Sequence, residues 1–259
     1  MLRYQSALFN RTKIDLPPSE CRHLILKDDF LKHVYESHIR VLCDAVEVNL
    51  DPKGLVKLIE IGAAGGITKY QNPTIITLDV RSDEGGVDII ISDEVLPFDN
   101  ESITGVIGKD VFHHIPSVEK HLHELERVLS VGAKCAYIEP NWNIFSRTFY
   151  TLFHPEPWNA KQILWSFNSE NPMFSNQALP WIVFQRDLPL FMAKFPKLQV
   201  RIDPIPLVGL SYLISGGLAR RNRVSSKALI WIYQKERRSH KYLRIFGLSR
   251  LIVITKLGN

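Results

Sequence analysis

The sequence predicts an α/β fold with a doubly wound, mostly parallel sheet. From residue 57 onward, apolar runs of strand length alternate with amphipathic stretches of helix length. The first run, residues 57–61, passes directly into a glycine-rich turn over residues 62–66. Strands that alternate with helices usually form parallel βαβ units, because each helix carries the chain back to the same edge of the sheet.

Length and composition predict a single domain over residues 1–259. The chain has 259 residues, of which 45% are hydrophobic, and this is enough for one full core. Its predicted parts follow one another along the chain: an N-terminal helical extension over residues 1–56, a ligand-binding core over 57–141, an aromatic-rich cap insertion over 142–197, and C-terminal strands with a basic segment over 198–259.

Local periodicity justifies each element. Apolar residues at helical spacing predict a helix over residues 29–48 that packs against the sheet, and another over residues 118–129 that is capped by Ser117. Runs of apolar and β-branched residues predict strands at seven places: residues 58–61, 75–79, 88–91, 104–108, 134–139, 198–202 and 250–254.

The glycine-rich turn predicts a nucleoside ligand. A strand that runs into glycines lets the backbone approach a ligand closely, because no Cβ atom stands in the way. Asp79 lies nineteen positions after Glu60, at the tip of the next predicted strand. An acid at that place can accept both hydroxyl protons of a ribose.

A dinucleotide cofactor fits this turn poorly. The fingerprint G-x-G-x-x-G requires glycine at positions 62, 64 and 67, but the chain has Ala64 and Ile67. An oxidoreductase that uses NAD(P) is therefore kept only as an alternative.

A longer string of motifs resembles the class I S-adenosylmethionine (SAM) dependent methyltransferase superfamily, in its broad small-molecule branch. Glu60, Gly62 and Gly66 occupy the expected positions of its first motif, although Ala64 replaces the usual middle glycine. The later segments arrive in family order over residues 96–102, 106–116, 125–129 and 137–141. The resemblance implies a seven-stranded Rossmann-like sheet whose last strand is antiparallel, with SAM as the cofactor.

The resemblance also implies roles for individual residues. Glu60 would face the amino-acid part of SAM, Asp79 would bind the ribose hydroxyls, and Asp93 would receive the adenine amino group, although Ser92 holds the place where the family has its acid. The implied cofactor-binding residues are Glu60, Gly62, Ala63, Gly66, Asp79, Val80, Asp93, Glu94, Lys109 and Asp110.

Three histidines are candidates for the general base that a hydroxyl acceptor would need. His113 and His114 follow the fourth strand, and His154 lies in the predicted cap. Adjacent side chains are expected to point in different directions, so only one of the pair would reach an acceptor. Glu139, at the end of the fifth strand, is a further candidate.

No metal site is expected. The candidate ligands after the fourth strand are His113, His114, His121, His123 and Glu124. Of these, His121 and His123 would be about 200° apart on a helix and could not converge on one ion.

The cap insertion has two interpretations. Four of the five tryptophans, Trp142, Trp158, Trp165 and Trp181, fall inside it. Residues 153–158 and 180–184 could supply flat apolar walls for a sugar, an isoprenoid or an aromatic ring. Alternatively, these rings fill a small accessory core.

Charge and cysteine content limit the classes of partner and the cellular compartment that the sequence suggests. Residues 218–259 contain eleven Lys or Arg but only one acid, Glu236, so peripheral contact with an anionic membrane is a hypothesis. Nucleic-acid substrates are disfavoured because no recognised binding module is visible. The three cysteines form no close pair in the sequence, and the N-terminal residues contain no apolar stretch of signal-peptide length. Both observations suggest a cytoplasmic protein.

The sequence thus predicts a SAM-dependent methyltransferase that acts on a small-molecule or glycan acceptor, with a sugar hydroxyl on a lipid or nucleotide carrier as the leading acceptor. A SAM-binding protein without catalytic activity is the second alternative. The oligomeric state is not predicted.

Overall fold

The structure is a computed structural model, and it describes most of the chain. The described residues are 17–47, 57–63, 65–81, 86–91, 95–154, 156–167, 174–203, 207, 209–219, 224–238 and 246–258. The predicted adenine contact Asp93, the predicted cofactor-binding residue Glu94 and the basic residues 220–223 lie outside these ranges.

Seven strands form one sheet. They are β1 (Leu58–Ile61), β2 (Ile76–Asp79), β3 (Ile89–Ile90), β4 (Ile103–Lys109), β5 (Leu129–Pro140), β6 (Leu198–Ile202) and β7 (Ser249–Lys256). Their order across the sheet is β3-β2-β1-β4-β5-β7-β6. The first five strands pair in parallel, and β7 runs antiparallel to both of its neighbours. The predicted fold class, including the antiparallel last strand, is confirmed.

Helices flank the sheet. They are α1 (Pro18–Lys27), α2 (Asp29–Val46), α3 (Ile67–Gln71), α4 (Val118–Val128), α5 (Ile144–Phe153), α6 (Leu179–Trp181), α7 (Leu188–Lys194), α8 (Leu210–Ser215) and α9 (Ser226–Arg238). Among the residues that the structure describes, no helix is both long enough and apolar enough to cross a bilayer.

The sheet is buried on both faces, because alternate residues of a strand point to opposite sides. Ile59, Val106 and Tyr137 pack on one face, together with α4 and the segment that contains α6 and α7. Their sequence neighbours Leu58 and Ile107 pack on the other face, against α2. The predicted N-terminal helix therefore covers the sheet.

The largest change from the predicted boundaries is at the start of β5. The helix over residues 118–129 ends at Val128, and β5 begins at once at Leu129, five residues before the predicted start. Ser117 is at the N-cap position of α4 but makes no capping side-chain hydrogen bond. Its backbone instead forms an antiparallel bridge with Ser166 of the insertion.

Much of the insertion packs as a layer of the core. Trp165 is buried in the main core cluster, and so are Ile182, Val183 and Phe184. The indole of Trp165 donates a hydrogen bond to Asp187, which fixes it beside α7. Of the two interpretations of residues 180–184, the structure favours core packing, because this segment covers one face of the sheet.

Candidate functional site

The carboxyl ends of β1, β2 and β4 meet at one edge of the sheet, where open α/β folds bind their ligands. The turn after β1 is tied to β2, because the backbone N–H groups of Gly62 and Ala63 both donate to the Leu78 carbonyl, at 2.9 and 3.1 Å. Gly66 closes the turn with a positive φ of 66°. A Cβ atom on Gly66 would lie 2.5 Å from the Cα atom of Gly86, so the turn excludes a side chain there.

Glu60 is buried directly before this turn. Its Oε1 atom accepts a hydrogen bond of 2.7 Å from the Thr68 hydroxyl on α3. Its Oε2 atom is also buried but has no hydrogen-bond partner among the described residues. Burial raises the pKa of the Glu60 carboxyl to about 7. A positively charged or hydrogen-donating ligand group would satisfy this oxygen.

Asp79 occupies the tip of β2, where the ribose acid was predicted. Its side chain is buried, and Oδ1 accepts a hydrogen bond of 2.9 Å from the backbone N–H of Arg81. The next residue, Val80, has about half of its surface exposed (51%). The structure therefore places Glu60, the glycine turn and Asp79 together at the ligand edge.

Lys109 and Asp110 follow β4 and form an ion pair. The Lys109 ammonium also lies 4.6 Å from the centroid of the Tyr35 ring on α2, in a cation–π contact. Burial by itself lowers the pKa of Lys109, but Asp110, together with Tyr35 and Tyr212, outweighs burial and the net pKa is raised. Asp110 has a positive φ of 51°, an uncommon conformation for a residue other than glycine. The N-terminal helix thus forms part of this wall of the site.

His38 is a residue near this wall that sequence analysis did not identify. It is buried on α2, one turn after Tyr35, and neither ring nitrogen has a partner in the described structure. Burial, together with the positive charge of Lys109, lowers the pKa of His38 to about 3, so the ring is neutral. The sequence feature that could have identified His38 is a histidine within the apolar stripe of a helix.

The three candidate histidines, His113, His114 and His154, converge on Glu156. We call these four residues the histidine cluster. His113 Nε2 lies 3.1 Å from Glu156 Oε2, and His114 Nε2 lies 3.7 Å from Glu156 Oε1. Gln177 Nε2 bridges His154 Nδ1, at 2.7 Å, and Glu156 Oε2, at 2.9 Å. This convergence joins the end of β4 to two parts of the insertion.

The rings of His113 and His114 lie side by side. Their centroids are 4.5 Å apart, and the planes are tilted by 38°. Both residues belong to one short 3₁₀ helix, Phe112–His114, and both reach Glu156. The expectation that adjacent side chains would diverge is therefore wrong for this pair.

His113 is held between two carboxylates. Its Nδ1 atom lies 2.6 Å from Glu139 Oε2, while Nε2 faces Glu156. Burial by itself lowers the pKa of His113, but the two carboxylates outweigh burial and raise the pKa to about 10. The protonated ring donates from both nitrogens, which leaves no lone pair to accept a proton from a substrate.

His114 has an open nitrogen. Its Nδ1 atom lies 3.2 Å from the carbonyl oxygen of Phe174 and must donate, since a carbonyl only accepts. Burial, together with the positive charge of His113, lowers the pKa of His114, so the ring is neutral. The lone pair is consequently on Nε2, which makes this nitrogen available to a ligand.

His154 has the opposite arrangement. Its Nδ1 atom accepts from Gln177 Nε2 and, at 3.3 Å, from the backbone N–H of Glu156. Burial lowers the pKa of His154, so the neutral ring carries its proton on Nε2. This histidine can donate a hydrogen bond to a ligand, but its lone pair is already engaged.

Two other histidines considered during sequence analysis are elsewhere. His121 is buried and its Nε2 atom lies 2.6 Å from the Tyr137 hydroxyl, while His123 is exposed and packs on Phe195. Glu156 was the residue that sequence reasoning missed as part of the site. Its position two residues after His154 was the only available signal.

A family profile described as a methyltransferase domain matches residues 72–137. None of the curated protein sequences compared with the chain matches it. A solved structure of a SAM-dependent methyltransferase from Archaeoglobus fulgidus is 15% identical, with a TM-score of 0.50, and the similarity covers 90% of this chain and 99% of that chain.

Two further solved structures are similar. A complex of a Haloferax volcanii methyltransferase with the Trm112 methyltransferase activator has 15% identity and a TM-score of 0.50, with 94% of this chain and 99% of that chain covered. The geranyl diphosphate C-methyltransferase of Streptomyces coelicolor A3(2), solved with Mg²⁺, geranyl diphosphate and S-adenosyl-L-homocysteine, has 14% identity and a TM-score of 0.49, covering 92% and 84%.

The profile match lies inside the segment that carries the sequence resemblance, and the sheet order is the one which that resemblance implies. These findings favour the methyltransferase interpretation over the NAD(P) alternative. Residues 72–137 therefore match a methyltransferase domain, and the chain has the fold of the class I SAM-dependent methyltransferases, which use SAM as their cofactor.

Proposed function

We propose that the chain transfers a methyl group from SAM to a small-molecule or glycan acceptor, and that the acceptor binds at the histidine cluster. The leading acceptor is a sugar hydroxyl, carried on a lipid or nucleotide. The observation that carries this proposal is a set of buried polar atoms of the insertion that lack a partner in the described structure, one of them on Gln177, which contacts the cluster.

The ligand edge suits SAM. The unpartnered Oε2 atom of Glu60 can accept from the amino group of the cofactor, and the carboxylate of Asp79 can accept from the ribose hydroxyls. The turn at Gly62 and Gly66, both with positive φ, would lie against the ligand, and the missing side chains leave room for Val111 and the Gly86 backbone. Bound SAM supplies a methyl group on a positively charged sulfur. We assign Lys109 and Asp110 to the border of the transfer position.

The insertion offers hydrogen-bonding atoms that other described residues do not use. Three of its buried polar atoms lack a partner in the described structure: Trp158 Nε1, Ser175 Oγ and Gln177 Oε1. Buried polar groups are normally satisfied, so groups without a partner indicate a ligand or water that completes them. Gln177 also contacts the cluster directly, because it donates to Glu156.

An acceptor with several hydroxyl groups fits these atoms. The indole of Trp158 stacks on the Tyr150 ring, with centroids 6.2 Å apart and planes within 6°, and it carries one of the unpartnered atoms itself. Flat aromatic surfaces beside hydrogen-bonding groups suit a sugar ring, which has apolar C–H faces and polar edges. The cap therefore combines core packing with acceptor contacts.

The histidine cluster would orient the acceptor hydroxyl. Most of the catalytic advantage of methyl transfer comes from holding acceptor and methyl group close together, worth roughly 7–11 kcal/mol. His114 Nε2 is the open nitrogen that can bind the hydroxyl, and His154 Nε2–H can donate to a neighbouring oxygen. His113 would hold Glu156 in place.

We also propose a cytoplasmic location with peripheral contact to anionic membranes through α9. Trp231 on this helix is 60% exposed, and the Lys235 ammonium lies 5.5 Å from its ring centroid. An exposed aromatic ring with basic neighbours suits an anionic interface. Co-sedimentation with anionic liposomes at low salt is expected, and a protein that stays in the supernatant would contradict the proposal.

The test of the main proposal uses labelled SAM with separate panels of glycans, sugar nucleotides, glycolipids and nucleic acids. We expect transfer to a hydroxylated sugar acceptor and a loss of at least about 100-fold in His114→Ala, since a positioned acid or base contributes about that much. His123→Ala, an exposed histidine of α4, is the matched control and should keep full activity.

Other outcomes separate the alternatives. Transfer to nucleic acid alone would contradict the acceptor class. Binding of S-adenosyl-L-homocysteine without turnover on any panel would favour a SAM-binding protein that lacks catalytic activity.

A further inference from the structure

We propose that His113, His114 and Glu156 bind a divalent first-row transition metal ion of the Zn²⁺ type. One ligand atom from each of the three residues lies within 4.8 Å of the other two. Two imidazoles and one carboxylate form a donor set that suits zinc or ferrous iron better than magnesium, which prefers oxygen ligands.

The spacing of the donor atoms suits a common ion. His113 Nε2 and Glu156 Oε2 are 3.1 Å apart, and His114 Nε2 and Glu156 Oε1 are 3.7 Å apart. Ligand atoms about 2.1 Å from one ion are roughly 3–3.5 Å apart at octahedral or tetrahedral angles. Small rotations of the side chains would therefore complete the coordination.

The surroundings of both rings strengthen the argument. Histidines that bind metals almost always donate their other ring N–H to a carboxylate or a carbonyl, which fixes the tautomer and aims the free nitrogen at the ion. His113 Nδ1 lies 2.6 Å from the buried Glu139 carboxylate, and His114 Nδ1 lies 3.2 Å from the Phe174 carbonyl. Each histidine thus turns Nε2 toward Glu156.

A neighbouring side chain orients the carboxylate ligand, and the charge of the site suits a divalent cation. Gln177 Nε2 donates to Glu156 Oε2 at 2.9 Å and so orients the carboxylate. Glu156 and Glu139 together bring two negative charges, which would balance a divalent cation.

Three protein ligands leave coordination positions open, which is typical of catalytic rather than structural metal sites. With the ion bound, His114 Nε2 would hold the metal instead of the acceptor hydroxyl, and a hydroxyl at an open coordination position would lose its proton more easily. This last step rests on the proposed function, whereas the metal site itself does not. The sequence-based expectation of no metal considered only histidines and acids near α4, and Glu156 comes from a different part of the chain.

The test measures metal binding without SAM or acceptor. Tag-free full-length protein is freed of metal with a chelator and titrated calorimetrically with Zn²⁺, and separately with Co²⁺ while the visible absorption is recorded. We expect one ion per chain and visible Co²⁺ absorption bands.

Two variants test the ligands. His114→Ala and Glu156→Gln should each weaken binding by at least about 100-fold, more than the loss of an outer partner does. His123→Ala and Glu119→Gln are matched controls on the exposed side of α4, and both should bind as the unchanged protein does. Circular dichroism checks that every variant is folded.

Opposite outcomes overturn the site. The proposal fails if the unchanged protein binds no more tightly than His114→Ala and Glu156→Gln, or if stoichiometric binding survives in both. It also fails if His123→Ala abolishes binding. In each case the cluster would act on the acceptor without a metal, and methyl transfer could still be present.

Discussion

The Nδ1 atom of His113 lies 2.6 Å from the Oε2 atom of Glu139, and this buried pair connects the turn after β4 to the end of β5. The other oxygen of Glu139 accepts hydrogen bonds from the backbone N–H groups of Val111 and Phe112, at 2.9 and 2.8 Å. Glu139 therefore shapes the turn that carries His113 and His114. Both residues were candidates for proton abstraction; the contacts of His113 favour a positioning role, whereas His114 keeps Nε2 open to a ligand.

Removal of one member of this pair should destabilise the fold. His113→Ala leaves the fully buried Glu139 carboxylate without its charged partner, which typically costs about 3–5 kcal/mol. Denaturant unfolding followed by circular dichroism measures the change. Adding Glu139→Gln should recover part of the loss, since the amide oxygen still accepts the two backbone hydrogen bonds. A His113→Ala protein as stable as the parent would contradict this account.

The same pair predicts a loss of stability in alkaline solution. The pKa of His113 is about 10 in the fold and 6.5 as a free side chain, so the folded state holds its proton more tightly. The resulting contribution to the free energy of unfolding is fully present below pH 6.5 and is lost as pH rises through about 10. Unfolding free energies measured at several pH values should fall over this window, and the fall should be smaller in the double variant with His113→Ala and Glu139→Gln.

Glu60 predicts a second pH dependence, at lower pH. Burial raises its pKa from 4.5 to about 7, so its contribution to stability is fully present below pH 4.5 and is lost as pH rises through 7. The loss is on the order of 1–3 kcal/mol. Glu60→Gln should remove this dependence and make the cofactor-free protein more stable at pH 8. Equal stability profiles of the two proteins between pH 4.5 and 7 would contradict a raised pKa of the Glu60 carboxyl.

Cofactor binding should change the behaviour of Glu60. An ammonium group beside Oε2 favours the ionised carboxylate, so S-adenosyl-L-homocysteine should bind more tightly as pH rises toward 7, with release of a proton. Calorimetry in buffers of different ionisation enthalpy measures this proton. Glu60→Gln should bind more weakly and release no proton at this site.

Glycine at position 66 is required for two reasons, and a matched variant separates them. Gly66→Ala must adopt a positive φ of 66° and must also displace the backbone of Gly86. Gly132→Ala has the same conformational problem, with φ of 81°, but its Cβ would meet nothing within 4 Å. We expect a loss of about 1 kcal/mol for Gly132→Ala and about 3 kcal/mol or more for Gly66→Ala. Equal losses in thermal or denaturant unfolding would show that the turn has room for a side chain.

Asp79 should determine cofactor affinity more than stability. Asp79→Ala removes an acceptor for the ribose hydroxyls, and we expect S-adenosyl-L-homocysteine to bind about 10- to 100-fold more weakly, which corresponds to hydrogen bonds to a charged group. Glu119→Ala, an acid on α4 that pairs with Lys194, is the control and should bind normally. Unchanged affinity in Asp79→Ala would remove the ribose assignment.

The sheet and the cofactor edge could be predicted from sequence because their signals are local. Apolar periodicity fixed the order of strands and helices, and right-handed parallel βαβ units leave few arrangements for such an order. Glu60, the glycine turn and Asp79 lie at strand ends, and strand ends of parallel units share an edge. Their proximity in space therefore followed from their positions along the chain.

The histidine cluster was decided by the tertiary structure alone. Glu156 lies 43 positions after His113 and 17 positions after Glu139, in irregular backbone whose path no periodicity predicts. Whether adjacent histidines diverge depends on the local backbone, and here a 3₁₀ turn places both rings against one carboxylate. Sequence alone determined the fold class and the SAM edge, whereas packing of the insertion decided which groups face the acceptor, because contacts between distant segments form only when the core closes.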